Sequence, residues 1–220
     1  GRRFAAPIRE AAMETGTTEN RALLCGTLDG TIAFSHMSRG KCFYTFPLRV
    51  PRLSGTDDIL NVICSEELLS SLEPNGSPML RIDGELRSYN NKSGVGNRLA
   101  IFVYALSAAF CADEPRNSVV LGGTLCKAPG VRVTPMGREI CDLLVAVNRP
   151  SGHSDYLPCI AWGQNARRAS LLCVGDRLLL TGRVQSRSYI KNVDGEPERR
   201  TAFEVSASSI EKTGTEAESR

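Results

Sequence analysis

Two aromatic residues in one short stretch carry the clearest chemistry of this sequence. The stretch 155–162 has the composition of a β-strand, and Tyr156 and Trp162 share the same parity within it. Because successive side chains of a strand point to opposite faces, both rings are predicted to lie on one side. Rings exposed on such a face stack on unpaired bases of any type. The stretch therefore predicts a stacking surface, and Trp162 is the one tryptophan of the chain.

A second strand, predicted over 177–189, adds cationic groups. Its even positions 178, 180, 182 and 184 are apolar, whereas Arg183, Arg187 and Tyr189 hold odd positions toward its end. Guanidinium groups and a tyrosine ring on one face suit phosphates and unstacked bases. The two strands together indicate a surface for a single-stranded polyanion.

The parity of 155–162 also permits a second interpretation. Ile160 falls between the two rings on the same side, so that side could instead be the core. Leu157, Cys159 and Ala161 would then point outward. The sequence leaves both orientations open.

Overall charge is a weaker indication than these residues. The 220 residues hold 27 Lys and Arg against 24 Asp and Glu, a net charge of +3. A protein that holds nucleic acid by charge alone is usually more basic, so stacking must assist. No apolar run reaches the about 18 residues of a membrane span. Residues 1–12 lack the apolar core of a secretory signal, so a cytoplasmic protein is expected. We expect no membrane partner and no small-molecule substrate.

The eight cysteines are spaced in a way that favours neither metal binding nor a disulfide framework. No two form a CxxC motif, and neither histidine has a cysteine at ligand spacing. We therefore predict no metal site and no cofactor, and expect free thiols packed as small apolar side chains. No catalytic residue is predicted, because no nucleophile with an orienting histidine, phosphate loop or acid–base pair is recognisable.

The chain repeats itself at a shift of 97 residues. Residues 20–65 and 117–162 are identical at 13 of 46 positions without a gap, against roughly three expected from average residue usage. Past this window Gly84 matches Gly182, and with a two-residue insertion Ser88-Tyr89 matches Ser188-Tyr189. Two related units are therefore predicted. The predicted limits are a flexible segment over 1–19, a first unit over 20–111, a linker over 112–116, a second unit over 117–212 and a flexible tail over 213–220.

Each unit has the predicted order β-β-β-α-β-β. In the second unit the strands cover 118–126, 139–148, 155–162, 177–189 and 200–210, with a helix over 164–174. In the first unit they cover 21–30, 41–50, 58–64, 79–89 and 98–108, with a helix over 65–72. This is the strand order of the OB barrel. The predicted fold is all-β, with two tandem OB-fold five-stranded barrels, each with one short helix between strands 3 and 4.

The second unit resembles the bacterial single-stranded DNA-binding protein family along nearly its whole length. The resemblance rests on these stretches in this order: Asn117-Ser-Val-Val-Leu-Gly-Gly-Thr-Leu, Leu144-Val-Ala-Val-Asn-Arg, Cys159-Ile-Ala-Trp-Gly and Gly182-Arg-Val-Gln-Ser-Arg-Ser-Tyr. It implies non-sequence-specific binding of single-stranded DNA, without enzymatic activity, in replication, recombination or repair. The tandem units are similar to family members that form homodimers with four OB folds, and a nucleoid-associated location is implied.

The resemblance also assigns candidate site residues. The family's base-stacking positions fall on Tyr156, Trp162 and Tyr189, and Tyr89 is the candidate of the first unit. The candidate phosphate contacts are Arg132, Arg138, Arg149, Arg183, Arg187, Lys191 and Arg87. Arg167 and Arg168, on the predicted helix, are expected to face solvent.

The first unit departs from the family pattern. Its counterparts of Trp162, Tyr156 and Arg183 are Ser65, Ile59 and Glu85. Nine basic and eight acidic residues give 20–111 a charge of +1, whereas 13 basic and nine acidic residues give 117–212 a charge of +4. We expect the first unit to be mainly structural, a dimer or partner surface, or a weak second site.

An alternative function is an OB-fold interaction or assembly module, of primosome or mobile-element type, that binds nucleic acid weakly. Family members commonly end in an acidic stretch with a hydrophobic tip that recruits enzymes. The sequence ends at Arg220 without such a tip, so partner recruitment by that route is not expected.

Overall fold

The architecture is two consecutive sets of strands, which a computed structural model describes over residues 19–73, 75–92, 97–193 and 195–215. The first half consists of β1 (Asn20–Leu28), β2 (Ala33–Ser38), β3 (Lys41–Pro51), β4 (Asp57–Ser65), α1 (Glu66–Ser70), β5 (Met79–Asn90) and β6 (Leu99–Cys111). The second half consists of β7 (Arg116–Leu125), β8 (Gly130–Val133), β9 (Glu139–Asn148), β10 (Ser154–Trp162), α2 (Gln164–Ala169), β11 (Asp176–Val193) and β12 (Glu196–Thr215).

Each half closes into a barrel through the same set of pairings. In the first half β1 pairs with β5 and with the end of β3, β3 pairs with β4, β4 runs parallel to β6, and β6 pairs with β5. The strands β7, β9, β10, β12 and β11 repeat this pattern. The prediction of two tandem OB barrels, with a helix between the third and fourth barrel strands, is confirmed.

Two glycines shared by the repeat allow the barrels to close. A Cβ on Gly26 would overlap the carbonyl oxygen of Arg49, and a Cβ on Gly123 would lie 2.5 Å from the carbonyl oxygen of Ala146. Strands β1 and β3, and likewise β7 and β9, therefore approach each other where only glycine leaves room. The identity of these positions in both halves reflects this close approach.

The two halves join edge to edge through β1 and β7, which pair antiparallel. Asn20 pairs with Leu121 and Leu24 pairs with Asn117, so the 97-residue shift converts one pair into the other. The halves are therefore related by an approximate twofold axis beside Ala22 and Val119. All twelve described strands form one continuous sheet, whose order is β2-β3-β4-β6-β5-β1-β7-β11-β12-β10-β9-β8.

Several element limits differ from the predictions. The edge strands β2 and β8 were not predicted, because each pairs only with one neighbour and is largely exposed. Helix α2 ends at Ala169, and the chain then turns instead of continuing as a helix to 174. Strands β11 and β12 continue to pair with each other beyond the barrel and form a two-stranded arm. At its other end β12 runs to Thr215, past the predicted limit of 210.

Part of the predicted terminal segments lies outside the described residues. These are residues 1–18 of the predicted N-terminal segment and 216–220 of the predicted tail. The predicted domain limits, 20–111 and 117–212, stay a prediction. Neither α1 nor α2, the helices of the described ranges, is long and apolar enough to cross a bilayer.

Candidate nucleic-acid interface

The face of β10 that carries Tyr156 and Trp162 points away from the barrel. Tyr156 is 46% exposed and Trp162 is 36% exposed, whereas Leu157 and Cys159 on the opposite face are at most 2% exposed. Ile160 lies between the rings and is itself buried. Of the two orientations that the sequence permits, the structure adopts the one with both rings outward. At about 3.3 Å per residue, the two positions lie roughly 20 Å apart along the strand.

The β8–β9 hairpin borders the Trp162 end of this face. Trp162 lies opposite Ile140, and the next amide, Gly163 N, donates to the carbonyl oxygen of Glu139 at 3.0 Å. Arg138 precedes Glu139 in an exposed turn, and its guanidinium has no carboxylate partner among the described residues. This candidate phosphate contact is therefore placed beside the tryptophan, and its charge is open to a ligand.

Two other basic residues near this hairpin have carboxylate partners. Arg132 on β8 bonds Asp142, with Nε 2.5 Å from Oδ2 and Nη2 3.1 Å from Oδ1. Arg167 on α2 bonds Glu139, with Nε 2.5 Å from Oε2. Both pairs are largely exposed, and exposed pairs are weak. A phosphate can therefore compete for either guanidinium.

The β11–β12 arm carries three further candidates on alternate positions of one side. Arg187 and Lys191 are exposed, and the Arg187 guanidinium lies 5.6 Å from the ring centroid of Tyr189. The Tyr189 hydroxyl donates to Oδ1 of Asn97, in the first half, at 2.8 Å. Tyr189 is therefore held between the arm and the first half, and is less exposed than Tyr156.

Arg149, a candidate phosphate contact, lies instead in the junction between the halves. Its Nε and Nη2 donate to the two carboxylate oxygens of Asp155, which is fully buried, at 2.6 and 2.5 Å. Asp155 also accepts the backbone N–H of Ser88, in the first half, at 2.6 Å. Bonding to Asp155 raises the pKa of Arg149, so the cation is held there. The expected role in phosphate binding is corrected for this residue because its charge is already neutralised.

Arg183 reaches across the junction to Asp58, the counterpart of Asp155 in the first half. Its Nη1 donates to Oδ2 of Asp58 at 3.0 Å, and Asp58 is 1% exposed. Arg52 bonds the same carboxylate through Nε and Nη2, and the backbone N–H of Ser186 donates to it at 3.0 Å. Arg183 is therefore engaged at the junction, but one carboxylate faces two guanidiniums there, so its role in phosphate binding stays a prediction.

The junction contacts also correct the alignment of the two halves. The backbone N–H of Ser88 donates to the Asp155 carboxylate, and the backbone N–H of Ser186 donates to the Asp58 carboxylate. Ser88 follows Gly84 by four residues, and Ser186 follows Gly182 by the same four residues. Ser88 therefore corresponds to Ser186, without the two-residue insertion that the sequence suggested. The matching of Ser88-Tyr89 with Ser188-Tyr189 is wrong, because the junction fixes the register.

The two candidates of the first half lie on its outward face. Tyr89 is 54% exposed, with its ring centroid 5.9 Å from that of Phe102. Arg87 bonds Glu85, with Nη2 3.0 Å from Oε2, and its guanidinium lies 3.6 Å from the ring centroid of Tyr104. Arg87 is therefore committed to a carboxylate and a ring of its own half, whereas Tyr89 is open to solvent.

Sequence reasoning missed a line of rings across this same face. His36 stacks on Phe43, with centroids 4.9 Å apart and planes at 9°, and Phe43 lies 6.0 Å from Tyr104. His36, Phe43 and Tyr104 have no aromatic counterparts in the second half, so the repeat does not reveal them. Phe102 and Tyr104 share a parity in one strand, and this signal could have found part of the line.

One cross-strand pair shows how the two faces differ. In the second half Ile140 on β9 lies opposite Trp162 on β10; in the first half Phe43 on β3 lies opposite Ser65 on β4. In the first half the aromatic ring is therefore on β3, the counterpart of β9, and not on β4, the counterpart of β10. Phe43 is 8% exposed, because His36 and Tyr104 cover it, whereas Trp162 is 36% exposed.

Two of the barrel thiols are suited to packing and not to chemistry. Cys64 and Cys159 are buried, and burial raises the pKa of both thiols, that of Cys64 to about 11. They are therefore neutral at physiological pH. Cys173 is exposed after α2, and Cys25 contacts Cys111.

Comparison with known proteins places this geometry in a family. The model of the single-strand binding protein family matches residues 116–213. The chain is 37% identical over 86 residues to single-stranded DNA-binding protein B of Bacillus subtilis, a match that covers 36% of the chain and 75% of that protein. The chain belongs to the single-strand binding protein family. With the single-stranded DNA-binding protein of Halalkalibacterium halodurans it is 35% identical over 102 residues, which cover 43% of the chain.

The family likeness is uneven along the chain. The match covers 59% of the length of the Halalkalibacterium protein, so the chain spans less than two thirds of that relative. The crystal structure of the wild-type single-stranded DNA binding protein from Thermus aquaticus superposes with a TM-score of 0.70 at 23% identity. That superposition covers 89% of the chain and 93% of the Thermus protein, so the likeness in fold includes both halves.

Proposed function

We propose that the chain binds single-stranded DNA, with little sequence preference, through the outward face of its second half. The observation that carries the proposal is the outward orientation of Tyr156 and Trp162 above a core of Leu157, Cys159 and Ala161. Each stacked base contributes about 1–3 kcal/mol, and any base can stack. The family's members named as single-stranded DNA-binding proteins support the same ligand.

Phosphate contacts are proposed for the cations that remain open on this half. Arg138, Arg187 and Lys191 are exposed and have no carboxylate within ion-pair distance among the described residues. Arg132 joins them after exchange of its exposed partner Asp142. Tyr189 is proposed as a stacking residue that contributes less to binding, because its hydroxyl is hydrogen-bonded to Asn97 of the first half.

The proposed setting is replication, recombination or repair, at the nucleoid, in a binding and not a catalytic role. The assembly proposed is a homodimer, which would bring four OB barrels together. Light scattering of the full chain tests the assembly: a mass of twice the 23.9 kDa chain supports it, and a monomer contradicts it.

Tryptophan emission tests the binding proposal directly, because Trp162 is the one tryptophan. Titration of the full chain with oligo-dT should quench this emission. The logarithm of the affinity should fall with the logarithm of the salt concentration, with a slope of about −0.7 for each phosphate contact. Duplex DNA of the same length is the matched control and should bind less tightly.

Unchanged emission and micromolar or weaker binding at low salt would contradict the proposal. That result would favour the alternative of an OB-fold assembly module whose main ligand is a protein.

A further inference from the structure

The sulfurs of Cys25 and Cys111 meet where the first barrel ends and the link to the second half begins. Their Sγ atoms lie 3.1 Å apart, and Cys25 Sγ lies 3.9 Å from the carbonyl oxygen of Asp113. Cys25 on β1 is 2% exposed, and Cys111 ends β6 and is partly exposed. All eight cysteines fall in the described ranges, and among them this is the one pair of thiols within hydrogen-bonding distance.

The strand register explains why the two thiols meet. Cys25 pairs with Arg81 of β5 on one side and with Arg116 of β7 on the other. The segment 112–115 must therefore pass across the end of β5, close to Cys25, to connect β6 with β7. Cys111 stands at the start of this passage. The contact follows from the way the two halves are linked.

We propose that Cys25 and Cys111 form a reversible disulfide, an oxidation site that fastens the link between the halves to β1. The present Sγ–Sγ distance of 3.1 Å is about 1 Å longer than a disulfide bond, so only a small movement is required. The second half has Gly122 at the position of Cys25. The site therefore belongs to the first half alone.

The chemistry is a thiol–disulfide exchange with a low-molecular-weight disulfide, RSSR. The Cys111 thiolate, the more exposed of the two, attacks RSSR; a mixed disulfide forms, and RS⁻ leaves and takes up a proton. The Cys25 thiolate then attacks the Cys111 sulfur and expels the second RS⁻. The two thiols lose two electrons and two protons, and RSSR is reduced to two RSH. Burial and the neighbouring Cys111 raise the pKa of Cys25, so the second step quickens as the pH rises.

A metal site is the competing use of the same atoms, because the Asp113 carboxylate lies within 4.8 Å of both sulfurs. Two thiolates on one tetrahedral Zn²⁺, with Zn–S bonds of about 2.3 Å, stand about 3.7 Å apart. The two sulfurs are closer than this. Arg81 Nη1 also lies 3.5 Å from Oδ2 of Asp113, which engages the third ligand. The geometry therefore favours the disulfide.

Peptide mapping of the oxidised full chain tests the proposal. The protein is treated with glutathione disulfide at mildly alkaline pH, blocked with iodoacetamide and digested with trypsin. The two cysteines fall in tryptic peptides 22–39 and 99–116, each of which contains no other cysteine. We expect one cross-linked species of these peptides, lighter than their sum by two hydrogen atoms and lost on reduction. The oxidised chain should also unfold at a higher temperature than the reduced chain.

The matched variants are Cys111→Ser and Cys173→Ser. Cys111→Ser should abolish both the cross-link and the rise in unfolding temperature, whereas Cys173→Ser, at an exposed thiol away from the site, should retain both. Glutathionylation of Cys173 without any 22–39/99–116 cross-link would overturn the proposal. Zinc bound at one ion per chain and lost in Cys111→Ser would overturn it as well, in favour of the metal site.

Discussion

The outward faces of the two barrels use the same frame for different purposes. On the second half Trp162 and Tyr156 stand apart and are partly exposed, and Arg138 and Arg187 lack carboxylate partners among the described residues. On the first half, rings cover one another and Arg87 is tied to Glu85. One face is open to a ligand and the other is largely satisfied by its own side chains.

The residues that the two halves share lie elsewhere. Arg52 and Arg149, with Asp58 and Asp155, build the junction. The Asn20 side chain hydrogen-bonds the carbonyl oxygen and the N–H of Leu86, at 2.7 and 2.9 Å. The Asn117 side chain bonds the same two groups of Val184, at 2.6 and 2.9 Å. Identity between the halves therefore marks the architecture, and difference between them marks the binding face. The following changes test this division.

The largest effect is expected at the junction. Asp58→Ala or Asp155→Ala should lower the free energy of unfolding by about 3–5 kcal/mol, because a guanidinium loses its buried partner. Asp58→Ala should cost more, since Asp58 serves both Arg52 and Arg183. Denaturant unfolding measures the change. Asp142→Ala removes an exposed pair and should cost less than about 1 kcal/mol; equal losses at all three positions would disprove the structural role of the junction.

The next effect concerns the open rings. Trp162→Ala or Tyr156→Ala should weaken binding of labelled oligo-dT by about 1–3 kcal/mol, or roughly 5- to 150-fold, because one stacked base is lost. Fluorescence anisotropy of the DNA label measures it, since Trp162→Ala removes the intrinsic reporter. Ile59→Ala, at the exposed counterpart of Tyr156 in the first half, is the matched control. Equal losses from Ile59→Ala and Tyr156→Ala would contradict the division.

A smaller effect is expected from the ring line of the first half. Tyr104→Ala should weaken binding of the same oligo-dT by less than about 1 kcal/mol, roughly fivefold. The reason is that Arg87 and Phe43 already contact this ring. A loss as large as that of Trp162→Ala would show that the first half binds DNA as strongly as the second.

The smallest effect is a change in salt dependence. Arg187→Gln should reduce the magnitude of the salt slope for single strands by about 0.7, the value of one phosphate contact. Arg149→Gln is the matched control, because its charge is neutralised by Asp155. It should leave the slope unchanged while it lowers stability. A slope that changes equally in both variants would contradict the assignment of Arg149 to the junction.

Much of the fold follows from local sequence. Alternation in 155–162 and 177–189 gave strands close to those observed, and the 97-residue shift gave two barrels of one type. The edge strands β2 and β8 escaped prediction because their largely exposed side chains show no buried alternation. The extended β11–β12 arm escaped for a related reason: the two strands pair with each other and need no core beneath them.

The site was less predictable than the fold. Arg149, Arg183 and Arg187 look alike in sequence, since each is a basic residue in or beside a family stretch. Their partners separate them: two face buried carboxylates at the junction and one faces solvent. Those carboxylates lie in the same half for Arg149 and in the other half for Arg183, so strand pattern alone could not assign them.

The sequence by itself determined the repeat, the strand order of each barrel and the parity that puts Tyr156 and Trp162 on one side. The tertiary structure decided which side is the core, which cations are already neutralised and which thiols meet. The physical reason is that parity relates side chains along one strand only. Whether a face is covered depends on strands that are distant in sequence, and here the pairing of β1 with β7 brings the halves together.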